Sequence, residues 1–303
     1  MSDAAATPQK FGAINPFGTL LSTTWRHLLA VWLLGAVAMI LFYLLLAVVF
    51  GVVIFGVVEV SGLKPFEALK WAFSDRTSSA TPLEFAVFVG FTAMIIGIAV
   101  FISGPLFGVL LQIALNLIRS GRLSLGKAMS VCRACWSHLG LANLLYFAFL
   151  VVLGVALRWI PAQVNENLMG IANLVFYVAV FYFGCVFTPL SAVVLEGHKV
   201  LSAFRRSALL TQGNRLAIIV YWLIISVGLY VISSLLIMPL FAAVFVFGFV
   251  PFGQDIMTMI VIYLLTYLVL ALATGIFVLA TGLVYTSLLA LEARGDGEQQ
   301  AVD

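Results

Sequence analysis

Charge is what this chain lacks most. Of its 303 residues, 9% are Asp, Glu, Lys or Arg and 64% are hydrophobic, against about 25% and about 45–50% in soluble domains. So few polar side chains cannot cover the surface of a 32.8 kDa globule, which excludes a soluble domain. Disorder needs a polar, charged composition and is excluded with it. A mean hydropathy of +1.19 places the chain in a bilayer.

The missing charge also has a pattern. Asp, Glu, Lys, Arg and His are absent from 28–58, 85–118, 139–157, 167–195, 216–254 and 256–291. Each stretch reaches the ~18–20 apolar residues that a spanning helix needs. Runs such as Leu41 to Val49 show none of the alternation of a membrane β-strand. With no water at that depth the backbone must bond within each segment, so the fold class is an all-α integral membrane protein with six spans. Several runs are longer than a single crossing requires. Pro239 and Pro251 should break the fifth run into a span near 216–238 and a non-spanning tail, and Gly104-Pro105 should kink the second, leaving an interfacial helix toward Ile118. Residues 1–15 are expected to be a disordered N-terminus, 16–291 a six-helix membrane domain, and 292–303 an acidic disordered tail. The first apolar run is too long for a cleavable signal.

The basic residues that remain are sided. Eleven of the 15 Lys+Arg fall at the N-terminus (Lys10, Arg26), in the 119–138 loop (Arg119, Arg122, Lys127, Arg133), in the 196–215 loop (Lys199, Arg205, Arg206, Arg215) and at Arg294. The opposite side holds Lys64, Lys70, Arg76 and Arg158, mixed with acidic residues. Positive residues mark cytoplasmic loops, so both termini are expected inside, and an even span count agrees by placing them on one side. On the far side, Leu63 to Asp75 has the spacing of an interfacial amphipathic helix.

Segments of mixed polarity lead into spans one, three and five: Phe17 to His27, Leu125 to His138 and Val200 to Arg215. Trp25-Arg26-His27, Trp136-Ser137-His138 and Phe204-Arg205-Arg206-Ser207 suit the headgroup layer. The pattern predicts three units, each an elbow helix followed by a two-span hairpin. Gly213 suits a helix stop in the left-handed region, with Asn214-Arg215 restarting the chain as span five. Arg205, Arg206 and Arg215 are the candidate lipid-headgroup contacts.

Around that third elbow stand Thr188-Pro189-Leu190, Leu195-Glu196-Gly197, Ala203, Arg206-Ser207 and Thr211-Gln212-Gly213-Asn214-Arg215. Val284-Tyr285-Thr286-Ser287-Leu288-Leu289 follows, then Glu292 and Gly295. This set resembles the six-span membrane domain that precedes the catalytic barrel of some bacterial glycerophosphodiester phosphodiesterases, together with its membrane-domain-only, YciC-like relatives. The resemblance covers nearly the whole chain, with its specific residues in 188–215 and 284–295. It departs at Ala208, where the family pattern usually carries tryptophan or another large residue. What it implies is a bacterial inner-membrane domain; the phosphodiesterase activity belongs to a separate metal-dependent barrel and is not carried over.

Chemistry-bearing constellations are sparse. Ionisable groups within spans mark ion pathways, proton relays and intramembrane catalysis, and the six charge-free runs remove the residues for each. No catalytic residue and no cofactor is assigned. Cys132, Cys135 and His138 drift by about 60° per three-residue step on a helix and could share one face, with His27 or His198 as a fourth ligand. A lone C-x-x-C falls short of the four ligands of structural zinc. Ordinary interfacial residues are the plainer reading, and cytoplasmic placement argues against a stable disulfide. Gly104 to Gly108 is a G-x-x-x-G that favours close helix packing. Polar groups inside the spans are Gln112, Asn116, Asn143, Asn173, Thr188, Ser226, Ser233 and Ser234, fitted either to interhelical hydrogen bonds or to lining a polar cavity. The net charge of +3 fits loops facing anionic lipid and needs no nucleic acid.

Two functions lead, ahead of a third class, an enzyme on lipid headgroups that mutation of His27, His138 and His198 would test. One is a non-catalytic inner-membrane domain organising lipid or a partner membrane protein. The other is an uncoupled transporter or lipid-translocating protein built on internal repeats, which flux in reconstituted vesicles separates from the first.

Overall fold

The computed structural model describes residues 16–61, 82–164, 169–248 and 256–300. These form helices α1 (Pro16–Arg26), α2 (Leu28–Ser61), α3 (Pro82–Ser120), α4 (Leu125–Val164), α5 (Met169–Val186), α6 (Leu190–Leu195), α7 (Val200–Leu210), α8 (Arg215–Gly248) and α9 (Ile256–Gln300). There is no strand among the described residues. Six stretches are long and apolar enough to cross a membrane: Leu28–Val49, Thr92–Ser120, Leu125–Leu157, Gly170–Leu195, Arg215–Leu235 and Thr266–Ala293. They match the six charge-free runs one for one. The chain is a multi-pass helical membrane protein. The expected outer interfacial helix, Leu63 to Asp75, and the N-terminal 1–15 lie outside the described residues.

The core sits toward the end of the bundle where α1 and α7 lie. There α3 packs on α2, α4, α6 and α9, and Leu111, Ala114, Val193, Ile218 and Leu279 have no more than a trace of exposed surface. Large apolar residues further out, such as Leu44, Val152 and Tyr230, are exposed, as side chains facing acyl chains are. Hydrocarbon is as apolar as leucine, so close packing rather than water exclusion must draw these helices together.

Glycine makes that packing tight. The Gly104 and Gly108 pair faces Leu139 of α4: a Cβ at Gly108 would stand 2.7 Å from Leu139 Cδ1. The G-x-x-x-G therefore seats an intrachain neighbour. Near the start of α2, Gly35 lies against the backbone of Ala271 and Gly275, and Gly275 against the carbonyl of Val31. Trp32 Nε1 donates to Leu268 O at 3.3 Å and Tyr267 Oη to Ala36 O at 2.9 Å, closing the same α2–α9 seam.

Several expectations need correction. Helix α3 carries Pro105 inside it and continues to Ser120. Residues 109–117 of that helix are core, with Leu111 and Ala114 fully buried, instead of an interfacial extension. Helix α8 continues past position 239 to Gly248 without the expected break, since proline costs only one hydrogen bond, while its spanning stretch, Arg215–Leu235, agrees with the span expected near 216–238. Helix α9 runs from Ile256 to Gln300. Leu125 to His138 is no separate elbow but the first turns of a continuous α4. Nothing breaks the chain between Lys127 and His138, whereas the third elbow ends at Gly213 with φ +83°. There Asn214 O accepts the Ile218 N–H and α8 begins. At the first elbow, α1 is a short amphipathic helix that ends one residue before α2.

Candidate functional site

A cavity of about 470 Å³ opens within the spans, between α3, α4, α5, α6, α8 and α9. Its walls are aromatic and aliphatic, among them Phe107, Phe181, Phe187, Trp222 and Phe277. Trp222 and Phe277 are in tilted contact at 4.8 Å, and Phe187 meets Tyr146 edge-on at 5.8 Å. Asn143, Tyr146, Thr188, Ser191, Ser226 and Thr281 supply its polar atoms. No lining residue carries a charge. A second cavity of about 520 Å³, between α2, α3, α4 and α9, shares Phe107, Asn143 and Phe277 with the first. Both volumes lie in the range of small-molecule sites, which are likewise apolar with a few placed polar groups.

The chain builds this cavity at the Thr188-Pro189-Leu190 corner. Helix α5 ends at Val186, and Pro189, lacking an N–H, opens the short α6. Thr188 Oγ1 donates back to Gly184 O at 2.8 Å and accepts the Trp222 indole N–H at 3.1 Å, fixing the tryptophan as one wall. Opposite, Asn143 donates through Nδ2 to Val100 O at 2.7 Å and to Ser103 Oγ at 2.9 Å, tying α4 to α3. Tyr146 Oη lies beside Gly184, 3.7 Å from where a Cβ would stand, an ordinary contact distance.

Other polar groups expected within the spans go elsewhere. Gln112 donates to Asn116 Oδ1 at 3.3 Å and Asn116 to Ser124 Oγ at 2.8 Å, a chain joining the end of α3 to the start of α4. Asn173 Oδ1 is buried without a hydrogen-bond partner among the described residues.

At the elbow end the three expected headgroup arginines take different surroundings. Arg205 is exposed. Arg206 turns inward as a fork on Glu292, Nη1 to Oε1 at 2.5 Å and Nη2 to Oε2 at 2.5 Å. The hydrogen bond to Glu292 raises the pKa of Arg206 above the ordinary guanidinium range, partly offset by desolvation, with the charges of Glu292 and Glu196 adding to it. Arg215 donates to Tyr182 Oη at 3.1 Å, and its Nε is buried without an acceptor among the described residues. Ser207, next to Arg206, donates to the Val186 carbonyl at 3.1 Å and satisfies the end of α5.

The C-x-x-C does not converge. Cys132 is buried in the core, Cys135 is half-buried and His138 is exposed, bonded to its neighbour Ser137 at 3.3 Å. Six residues of helix turn the first and last about 120° apart. Among the described residues no group of three or more His, Cys, Asp or Glu could hold a metal ion.

Asn143, Thr188 and Ser226 were readable as cavity candidates because polar atoms stand out in an apolar run. Trp222, Phe107 and Phe277 were not, since an aromatic within such a run looks the same against lipid as against a ligand. Comparison of the chain with protein families, with curated proteins and with solved structures finds no match.

Proposed function

We propose that this chain is a non-catalytic protein of the bacterial cytoplasmic (inner) membrane that holds and organises lipid, with its acyl chains in the α3–α4–α8 cavity. The observation that carries this reading is the cavity itself: about 470 Å³, aromatic-walled, uncharged, yet set with hydroxyl and amide groups. Apart from the cavity, Arg205 and Arg215 attract anionic lipid to the elbow end, each worth about 1 kcal/mol near an anionic surface. Arg206 is committed to Glu292. The family resemblance supports the same setting, a membrane domain without the catalytic barrel.

Native mass spectrometry from mild detergent tests the reading. Ser226→Trp, which fills the cavity, should strip retained lipid. Arg205→Gln with Arg215→Gln should lower retention of anionic lipid selectively, by roughly tenfold or more. Unchanged lipid on the Ser226→Trp protein would count against it.

The proposed topology has both termini in the cytoplasm, argued from the eleven-to-four split of basic residues. A single cysteine introduced at position 300, in a background without the native three, should resist membrane-impermeant maleimide in intact cells and react after lysis. Labelling in intact cells would reverse the orientation.

A further inference from the structure

The geometry points to a neutral, hydroxyl-bearing lipid of the diacylglycerol class as the ligand of the α3–α4–α8 cavity, an assignment that rests on the lipid-holding reading above and narrows it. Charge decides the first half of the argument. The cavity is walled by residues from runs without Asp, Glu, Lys, Arg or His. A phosphate drawn into it would shed its hydration and meet no cation, a desolvation loss that a buried ion recovers only beside a partner. An uncharged head carries no such loss.

Hydrogen-bond accounting decides the second half. Hydroxyls inside a membrane normally bond back along their own helix, and Thr188 and Thr281 do so, to Gly184 O at 2.8 Å and Phe277 O at 3.0 Å. Tyr146 Oη and Ser226 Oγ line the same cavity and have no hydrogen bond among the described residues. Asn143 spends its amide N–H groups on Val100 O and Ser103 Oγ. The Val100 carbonyl requires an N–H, which fixes the amide orientation and leaves Oδ1 as an unused acceptor. Asn143 and Tyr146 are three apart on α4 and therefore neighbours on one face; Ser226 comes from α8. Leaving these atoms unpaired in a hydrocarbon setting is costly. A ligand hydroxyl answers both α4 groups, donating to Asn143 Oδ1 while accepting from Tyr146 Oη. An ester carbonyl can only accept, so an ester-linked lipid without a free hydroxyl satisfies one group and strands the other. The aromatic walls accommodate its chains.

The test uses the full chain in detergent micelles, with diacylglycerol and phosphatidylglycerol that carry the same brominated acyl chains. Trp222 forms a wall of the cavity, and its quenching is obtained as the difference between the wild-type protein and Trp222→Phe. Diacylglycerol should quench this signal at a mole fraction at least tenfold below that needed for phosphatidylglycerol. Tyr146→Phe, which removes one oxygen and keeps the packing, should weaken diacylglycerol about five- to tenfold and leave phosphatidylglycerol unchanged. Equal quenching by the two lipids, or a variant that weakens both alike, would overturn the ligand class while leaving lipid occupancy standing. Absence of quenching by either lipid would overturn both.

Discussion

Gly275→Leu protein is expected to fail to accumulate as a folded, monodisperse species, and Gly275→Ala to melt well below the wild type. At this crossing α2 and α9 touch backbone to backbone. A Cβ on Gly275 would fall within the van der Waals shell of the Val31 carbonyl oxygen, and one on Gly35 within that of Ala271. Val31 and Ala271 are themselves fully buried, so no flexible side chain can swing away. The helices must separate instead, and separation strains the Trp32–Leu268 and Tyr267–Ala36 hydrogen bonds on the same seam. Overpacking a tight core costs typically about 1–3 kcal/mol and occasionally more, and rigid backbone on both sides places Gly275 at or above the top of that range. Gly228, in α8, provides the control. A Cβ there meets nothing within 4 Å, so Gly228→Ala should gain up to about 1 kcal/mol from helix propensity. The two glycine-to-alanine changes therefore move the melting temperature in opposite directions, read by size-exclusion after heating in detergent. If both variants melt together, the close α2–α9 contact is wrong.

That seam also shows where a membrane sequence is readable. The spans follow from missing charge, because a single Lys or Arg within a run would have marked its end. The corner at 211–215 follows from Gly213, because the left-handed conformation is open to few residues. The inside of the bundle is another matter. In water, polarity separates the core face of a helix from its exposed face; between lipid and protein no such contrast exists, so Leu111 in the core and Leu44 at the periphery have the same sequence signature. For that reason residues 109–117 read as an interfacial extension although they form the center of the bundle. The glycines at 35 and 275 lie 240 positions apart and reveal their contact only once α2 meets α9. The cavity is still less legible, since its lining comes from six helices. Of the expected headgroup arginines, Arg206 could not be distinguished from Arg205 by pattern, because its partner lies 86 residues away.

That partner gives the last expected result: Arg206→Glu should destabilise the elbow, and the exchange Arg206→Glu with Glu292→Arg should recover most of the loss. The fork joins α7 to the end of α9, two elements otherwise in slight contact. Its side chains are 35% and 34% exposed, so solvent screening holds its worth to about 1 kcal/mol, at the upper end for exposed pairs because the fork is bidentate. Placing a second carboxylate beside Glu292, with Glu196 also near, adds repulsion to that loss. The pH dependence has a definite sign. A guanidinium whose folded pKa is raised contributes fully below its unfolded pKa and loses that contribution only as pH rises through the folded one. Arg206 therefore holds the fork at constant strength from its own side across the working pH range, and added salt weakens it only in proportion to its exposure. Thermal melts of both single variants and the exchange form a double-mutant cycle. A coupling energy of about 1 kcal/mol or more is expected, together with increased mobility of a spin label at Leu209 in Arg206→Glu alone. Additive losses with no recovery in the exchange would show that α7 is held by its other contacts, above all the Ser207 hydroxyl on the Val186 carbonyl.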